Sequence, residues 1–211
     1  MLSLILRKRF TLYLLAFLLM LSFKAWAVGP ADQIRSAVDQ VIKILTDPRL
    51  SGDAEEERHR LLRETVLPHF DFTEMAKRSL GGHWSRLSQD QQREFVDIFT
   101  DLLGHSYVDK IGAYNDEQFV YARESQDKNF AEVDTRIITK KGEEFSINYK
   151  LHLVNGHWKV YDLVIENISL VNNYRAQFQR IITNSSHEEL LQRIKEKQPE
   201  TVGETSRRMA P

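Results

Sequence analysis

The sequence predicts an α+β fold in which helices cover a four-stranded antiparallel sheet. Before residue 113, apolar residues recur at three- and four-residue steps, which is typical of amphipathic helices. Between residues 118 and 166 they alternate with polar residues, which is typical of strands with one buried face. Helical spacing returns after Ser169. The predicted order is a helical lobe at about 31–113, a sheet at about 118–166 and C-terminal helices at about 169–197.

The helical lobe is predicted to begin with two helices. The first runs from Ala31 to Leu45 and follows Pro30, a residue that the first helical turn tolerates. The second runs from about Ala54 to Leu67 and stops at Pro68, because proline cannot continue helical hydrogen bonding.

Capping patterns predict the next two helices. Asp71 and Glu74 fit a capping box, and the short helix that they begin ends at Gly81-Gly82. Ser88 and Gln91 repeat the pattern before a longer helix.

Turn residues divide the alternating region into strands. Asn155-Gly156 predicts a two-residue hairpin because both residues tolerate positive φ, and Lys141-Gly142 suggests another hairpin. The predicted strands lie at about 118–124, 130–139, 143–154 and 157–166.

The chain is predicted to close with two more helices and a tail. Helical spacing follows Ser169, and Ser186 with Glu189 caps a last helix. Residues 198–211 are polar and without periodicity, so we expect a disordered tail. Residues 28–197 are expected to form a single domain.

The N-terminus has the three-part pattern of a secretory signal peptide at residues 1–27. A basic segment at Arg7–Arg9 precedes an apolar run from Phe10 to Phe23, which is followed by Ala25-Trp26-Ala27. We expect cleavage after Ala27 and export to the periplasm. An uncleaved anchor is the alternative, but spanning a bilayer takes about 20 consecutive apolar residues.

The mature charge argues against nucleic acid as a partner. Residues 1–27 carry four basic side chains and no acidic one, so removing them lowers the formal charge from −1 to −5. Binding to phosphate backbones depends on clustered Lys and Arg, which this balance does not favour. The chain has no cysteine, so burial and hydrogen bonds must stabilise the fold.

Motifs for metal binding and catalysis are weak. No two of the seven histidines have the i, i+4 spacing of a metalloprotease helix, and we expect no metal and no cofactor. A small-molecule enzyme with Asp71 or Asp162 as general base is one alternative function, since a carboxyl group beside apolar side chains can acquire a raised pKa. Helix capping and interior hydrogen bonding explain these residues more simply.

Two segments resemble the MlaC family of periplasmic phospholipid carriers, also known as the toluene-tolerance auxiliary family. They are Phe70 to Trp84, FDFTEMAKRSLGGHW, and Trp158 to Phe178, WKVYDLVIENISLVNNYRAQF. The resemblance covers roughly residues 31–194, with one departure at Asn167, where the family pattern leads us to expect glycine. It implies a curved sheet, an NTF2-like cone, with helices folded over an apolar cavity.

The resemblance also implies a function. A carrier of this family holds the acyl tails of a glycerophospholipid and is not an enzyme. It moves the lipid between an inner-membrane ABC transporter complex, with its periplasmic lipid-binding ring subunit, and an outer-membrane lipoprotein complex, which maintains outer-membrane lipid asymmetry. Contacts with these membrane complexes are expected to be transient and the carrier monomeric. An accessory binder of other apolar compounds is a further alternative.

Candidate lipid-binding residues are side chains in the region of resemblance, about residues 31–194, that point inward by periodicity. They are Phe72, Met75, Ala76, Leu80, Trp84, Phe99, Leu103, Tyr107, Tyr149, Val160, Tyr161, Ile168, Leu170, Val171, Tyr174 and Phe178. Lys77, Arg78 and Arg175 are weaker candidates for contact with the head group or a partner, because solvated helix faces usually carry such charges.

Overall fold

The computed structural model describes residues 28–108, 111 and 116–196. The helices of these residues are α1 Pro30–Leu45, α2 Glu55–Val66, α3 Phe72–Leu80, α4 Gln89–Leu103, α5 Leu170–Asn184 and α6 His187–Glu196. The strands are β1 Gln118–Asp127, β2 Phe130–Ile138, β3 Glu144–Val154, β4 His157–Ile165 and β5 Ile168–Ser169. The predicted signal peptide and the predicted disordered tail lie outside the described residues.

The predicted caps are present at the start of α3 and α4. The Asp71 carboxylate accepts a hydrogen bond of 2.9 Å from the Glu74 N–H. The reciprocal half of the predicted box is not formed, because the Asp71 N–H donates to the Val160 carbonyl. Ser88 and Gln91 form a reciprocal capping box. Gly81 ends α3 at φ 57° and ψ −130°, a conformation that residues with a Cβ rarely adopt.

The sheet has the order β1-β2-β3-β4-β5 with every pair antiparallel. The predicted α+β class is confirmed, but the expected count of four strands was too low by one. β5 contains only two residues, which is too short to give a period-two pattern. The turn before it holds Glu166 at φ 47° and Asn167 at φ 64°. Asparagine tolerates this left-handed region better than most residues, which explains how it replaces the expected glycine.

Other parts of the chain occupy the outer edge of β4. The Gln33 side chain of α1 forms hydrogen bonds with both the N–H and the carbonyl of Trp158, as a neighbouring strand would. Farther along, the Asp71 N–H donates to the Val160 carbonyl at 2.9 Å, and β5 pairs with Val164 and Ile165. β1 is the strand at the opposite edge of the sheet.

Two apolar clusters form the interior. The helical core contains the buried residues Met75, Ala76, Leu80, Phe95, Phe99, Leu103, Leu170, Val171, Tyr174, Phe178, Leu190, Leu191 and Ile194. The sheet core contains Ile34, Ala131, Val133, Leu151, Trp158 and Val160. Phe70 and Leu163 pack against both cores and connect them. Within the described residues, no helix is both long and apolar enough to cross a bilayer.

Candidate functional site

The inward face of the sheet is an apolar wall that is closed at one end. Ala131, Leu151 and Val160 are opposite one another on neighbouring strands and are at most 3% exposed. Ile34 of α1 packs against them. The wall is therefore sealed where α1 covers it.

At its other end the same wall reaches the surface. Ile147 lies opposite buried Thr135 and is partly exposed, and the next inward pair is Ile137 with Phe145. Phe145 is 43% exposed. Among the described residues, the apolar wall thus continues from the core to solvent, which is the surface that an elongated apolar ligand requires.

Hydroxyl groups on this wall are uncharged. Tyr149 lies opposite Val133 and hydrogen-bonds with Thr135, and burial raises its pKa to about 12. The hydroxyl of Tyr121 is buried, and its ring lies 4.1 Å from the Arg35 guanidinium carbon. At neutral pH the wall therefore offers apolar surface and neutral hydroxyls.

The helical core holds twelve of the sixteen residues that the sequence predicted to bind lipid. They are Phe72, Met75, Ala76, Leu80, Trp84, Phe99, Leu103, Tyr107, Leu170, Val171, Tyr174 and Phe178. Phe99 is fully buried, with ring centroids of Phe95, Tyr174 and Phe178 at 5.7, 5.3 and 5.6 Å. These aromatic side chains pack closely against one another. A role for any of the twelve in lipid binding stays a prediction.

Buried hydroxyls also occur in the helical core. Tyr107 lies in the π-helical segment Gly104–Val108 that extends α4, and it hydrogen-bonds with Tyr174 of α5. Burial raises the pKa of both tyrosines above the ordinary value. The pair therefore stays protonated and connects the end of α4 to α5 without placing a charge in the core.

The other four predicted residues belong to the sheet but do not share one face of it. Tyr149 and Val160 pack on the inward face. Tyr161 points to the opposite face, where its ring contacts Phe130 and His152 at 6.1 and 5.5 Å. Ile168 of β5 is 37% exposed. The register between β3 and β4 shifts at this point, because Leu151 pairs with Val160 while Lys150 pairs with Asp162. Tyr161 is the extra residue of this bulge, and its side chain faces outward.

The three predicted cationic residues lie along α3 and α5. Arg78 forms an ion pair of 2.8 Å with Glu74 and stacks over Tyr161, while Lys77 lies 3.8 Å from the same carboxylate. Arg175 of α5 packs against Gly81. Lys77 and Arg175 are exposed and Arg78 is half-buried, and their contact with a head group or a partner stays a prediction.

Both carboxylates considered for general-base catalysis have partners. Asp71 caps α3 and lies 3.0 Å from Nε2 of His152. Asp162 accepts hydrogen bonds from the Ser169 hydroxyl at 2.7 Å and from the Val171 N–H at 3.0 Å. Asp162 therefore attaches the first turn of α5 to β4.

Asp162→Ala should lower the free energy of unfolding by about 2–3 kcal/mol, because it leaves the Val171 N–H and the Ser169 hydroxyl without their acceptor. Urea denaturation of lipid-free protein measures the loss. Asp162→Asn keeps an acceptor for Val171 and should lose only about 1 kcal/mol. Equal losses in the two variants would contradict the assigned role.

Outside the sheet wall we find no further group of side chains in the described residues that indicates metal binding or catalysis. A pocket of about 390 Å³ lies between α4 and α6; its lining is Leu191 together with the charged or polar residues Glu94, Glu188, Gln192, Lys195 and Glu196. In the part of the chain that the structure describes, no three His, Asp or Glu side chains form a group that could hold a metal ion.

Sequence reasoning did not select the open end of the sheet wall. Phe145 and Ile147 belong to the alternating pattern of residues 118–166, but most of the candidate residues lie in the two family-like segments. The signal that identifies the open end is burial along a strand, which changes from Leu151 at 0% to Phe145 at 43% exposed. Alternation does not contain that information.

Known proteins with similar sequence and structure share one description. The sequence model of the MlaC protein family matches residues 35–196, which is more than half of the chain. The intermembrane phospholipid transport system binding protein MlaC of Haemophilus influenzae is 22% identical over 141 residues. That match covers 64% of this chain and 66% of the relative, just under two thirds of its length.

A solved structure also has the same fold. It is a phospholipid-binding protein from Ralstonia solanacearum, determined in complex with a phospholipid at 1.53 Å. The TM-score is 0.69 at 26% sequence identity, and the match covers 77% of this chain and 93% of that one.

Proposed function

The chain belongs to the MlaC protein family, and from this premise we propose that it binds a glycerophospholipid through its acyl tails. The observation that carries the proposal is the inward sheet wall, which is apolar from its sealed end at Leu151 to its exposed end at Phe145. The open end would receive the tails and leave the head group near solvent.

The size of the hydrophobic effect explains why a carrier is needed. Two acyl chains contain on the order of 30 methylene and methyl groups, and each is worth about 0.8 kcal/mol when shielded from water. Exposing both tails during transfer would therefore cost roughly 25 kcal/mol. An apolar wall that replaces the contacts of the bilayer removes most of this barrier.

We further propose that the protein is a monomeric periplasmic carrier. It would receive or deliver lipid at an inner-membrane ABC transporter complex with a lipid-binding ring subunit, and at an outer-membrane lipoprotein complex. The signal-like N-terminus supports export, and the name of the Haemophilus relative supports membership of an intermembrane transport system. Binding is favoured over catalysis because Asp71 and Asp162 are engaged in helix caps.

Native mass spectrometry of protein purified without detergent tests the binding proposal. We expect a species heavier than the mature chain by one diacyl phospholipid, and organic extraction should release that lipid. Protein that is lipid-free after gentle preparation, and that takes up no phospholipid from vesicles, would contradict the proposal. Displacement of phospholipid by other apolar compounds would instead favour the accessory binder.

A further inference from the structure

Two histidines meet where α6 packs against the helical lobe. His187 is the first residue of α6 and is 6% exposed, while His83 lies in the 3-10 segment Gly81–Arg86. Their ring centroids are 5.4 Å apart. The ring of Phe95 from α4 lies 6.2 Å from that of His187. The His187 imidazole of α6 is thus enclosed by residues of two other elements, α4 and the 3-10 segment.

Among the residues that the structure describes, the buried nitrogens of this pair have no hydrogen-bond partner. They are both ring nitrogens of His187 and Nε2 of His83. A neutral imidazole has one donor and one acceptor nitrogen, and burying either without a partner is unfavourable. Unpaired buried groups of this kind are uncommon in proteins and often have a functional reason.

A proton on His187 would be poorly accommodated in the docked helix. The cation would lie beside Phe95 and His83, and at the N-terminus of α6, where the helix dipole disfavours positive charge. Glu94 of α4 and Glu188 of α6 are the carboxylates that act on it electrostatically. Glu94 is already paired with Lys195 at 3.0 Å, and Glu188 moves with α6 itself.

We propose that His187 is a proton-sensitive latch, which holds α6 on the helical core while it is neutral and releases the helix when it is protonated. Release would remove Leu190, Leu191 and Ile194 from the core and uncover Phe95. The device concerns the helical lobe and does not depend on which apolar ligand the sheet wall binds.

The direction of the pH effect follows from the two states of the helix. Burial, assisted by His83, lowers the pKa of docked His187 below its ordinary value of 6.5, and the two glutamates oppose this only in part. The released helix therefore binds more protons than the docked helix as pH falls below 6.5. Each unit by which the pH falls below 6.5 favours release by at most about tenfold. Between pH 7.5 and pH 5.0 the total is at most about 30-fold, the limit in which docked His187 stays neutral.

Hydrogen–deuterium exchange of the full mature chain tests the latch. After correction for intrinsic rates, exchange in residues 187–196 should rise up to about 30-fold between pH 7.5 and pH 5.0. Residues 30–45 of α1, a helix without histidine, serve as the internal reference. His187→Phe, which can pack on Phe95, should abolish the rise, and His187→Gln provides a second neutral variant. His157→Gln, at the exposed first residue of β4, should retain it.

Two results would overturn the proposal. One is a pH response of α6 that equals that of α1 or persists in both neutral variants. The other is protection of α6 by equimolar Zn²⁺ at pH 7.5 in the wild type but not in His187→Phe, which would identify the histidine pair as a metal site.

Discussion

Replacing Ile147 with tryptophan should reduce the phospholipid that co-purifies with the protein to less than about a tenth of the wild-type amount. Ile147 lies on the inward wall, beyond the part that α1 seals, and it is partly exposed. An indole there would occupy space needed by acyl methylenes. Loss of contact with only two methylenes is worth about 1.6 kcal/mol, which exceeds a tenfold change in affinity. Lipid phosphorus per mole of protein measures the effect.

Arg136→Trp is the matched control for this substitution. Arg136 lies on the neighbouring strand β2 but points to the outward face and is exposed. The control should co-purify with the wild-type amount of lipid, and both variants should unfold at urea concentrations close to that of lipid-free wild type. Normal lipid content in Ile147→Trp would contradict the placement of the tails on this wall.

Phe99→Ala should lower the free energy of unfolding by about 3–5 kcal/mol, because it removes a fully buried ring and leaves a cavity between three other aromatic rings. Such a loss is a large part of the stability of a typical domain. Urea denaturation should be followed on lipid-free protein, since a bound ligand raises the apparent stability. Phe130→Ala is the control, because Phe130 is 50% exposed, and it should lose less than about 1 kcal/mol.

The Phe99 result also distinguishes a filled core from a ligand cavity. A loss below about 1 kcal/mol, together with reduced lipid content, would mean that Phe99 faces a space normally occupied by lipid. The expected large loss would assign Phe99 to packing and leave the sheet wall as the main lipid surface.

Local signals predicted much of the fold. The caps at Asp71 and Ser88, the hairpin at Asn155-Gly156 and the alternation in β2 and β3 all depend on residues close in sequence, and each prediction matches the structure. The sequence pattern did not predict β5, because a strand of two residues is too short to show the alternation of apolar and polar side chains. The partners of its neighbour β4, including the Gln33 side chain, come from distant parts of the chain, so local patterns do not contain them.

The site was harder to predict than the fold. Periodicity says that Phe99 and Ile147 both point inward, but it cannot say that one is enclosed by rings while the other is partly exposed. That difference depends on how completely distant elements cover each position. Tyr161 was difficult to place for a similar reason. β4 carries apolar side chains on both faces, so the sequence alone does not show which face of the sheet Tyr161 is on.

The occupied edge of β4 has a consequence for self-association. Unpaired strand edges are where chains add to one another and begin intermolecular sheets. Gln33, Asp71 and β5 already take those hydrogen bonds along β4, and on the other side β1 is interrupted by a bulge near Tyr121 and carries charged residues such as Arg123. A carrier that alternates between loaded and empty forms, as proposed for this protein, can therefore expose apolar surface while most of its strand edges are protected against intermolecular sheet formation.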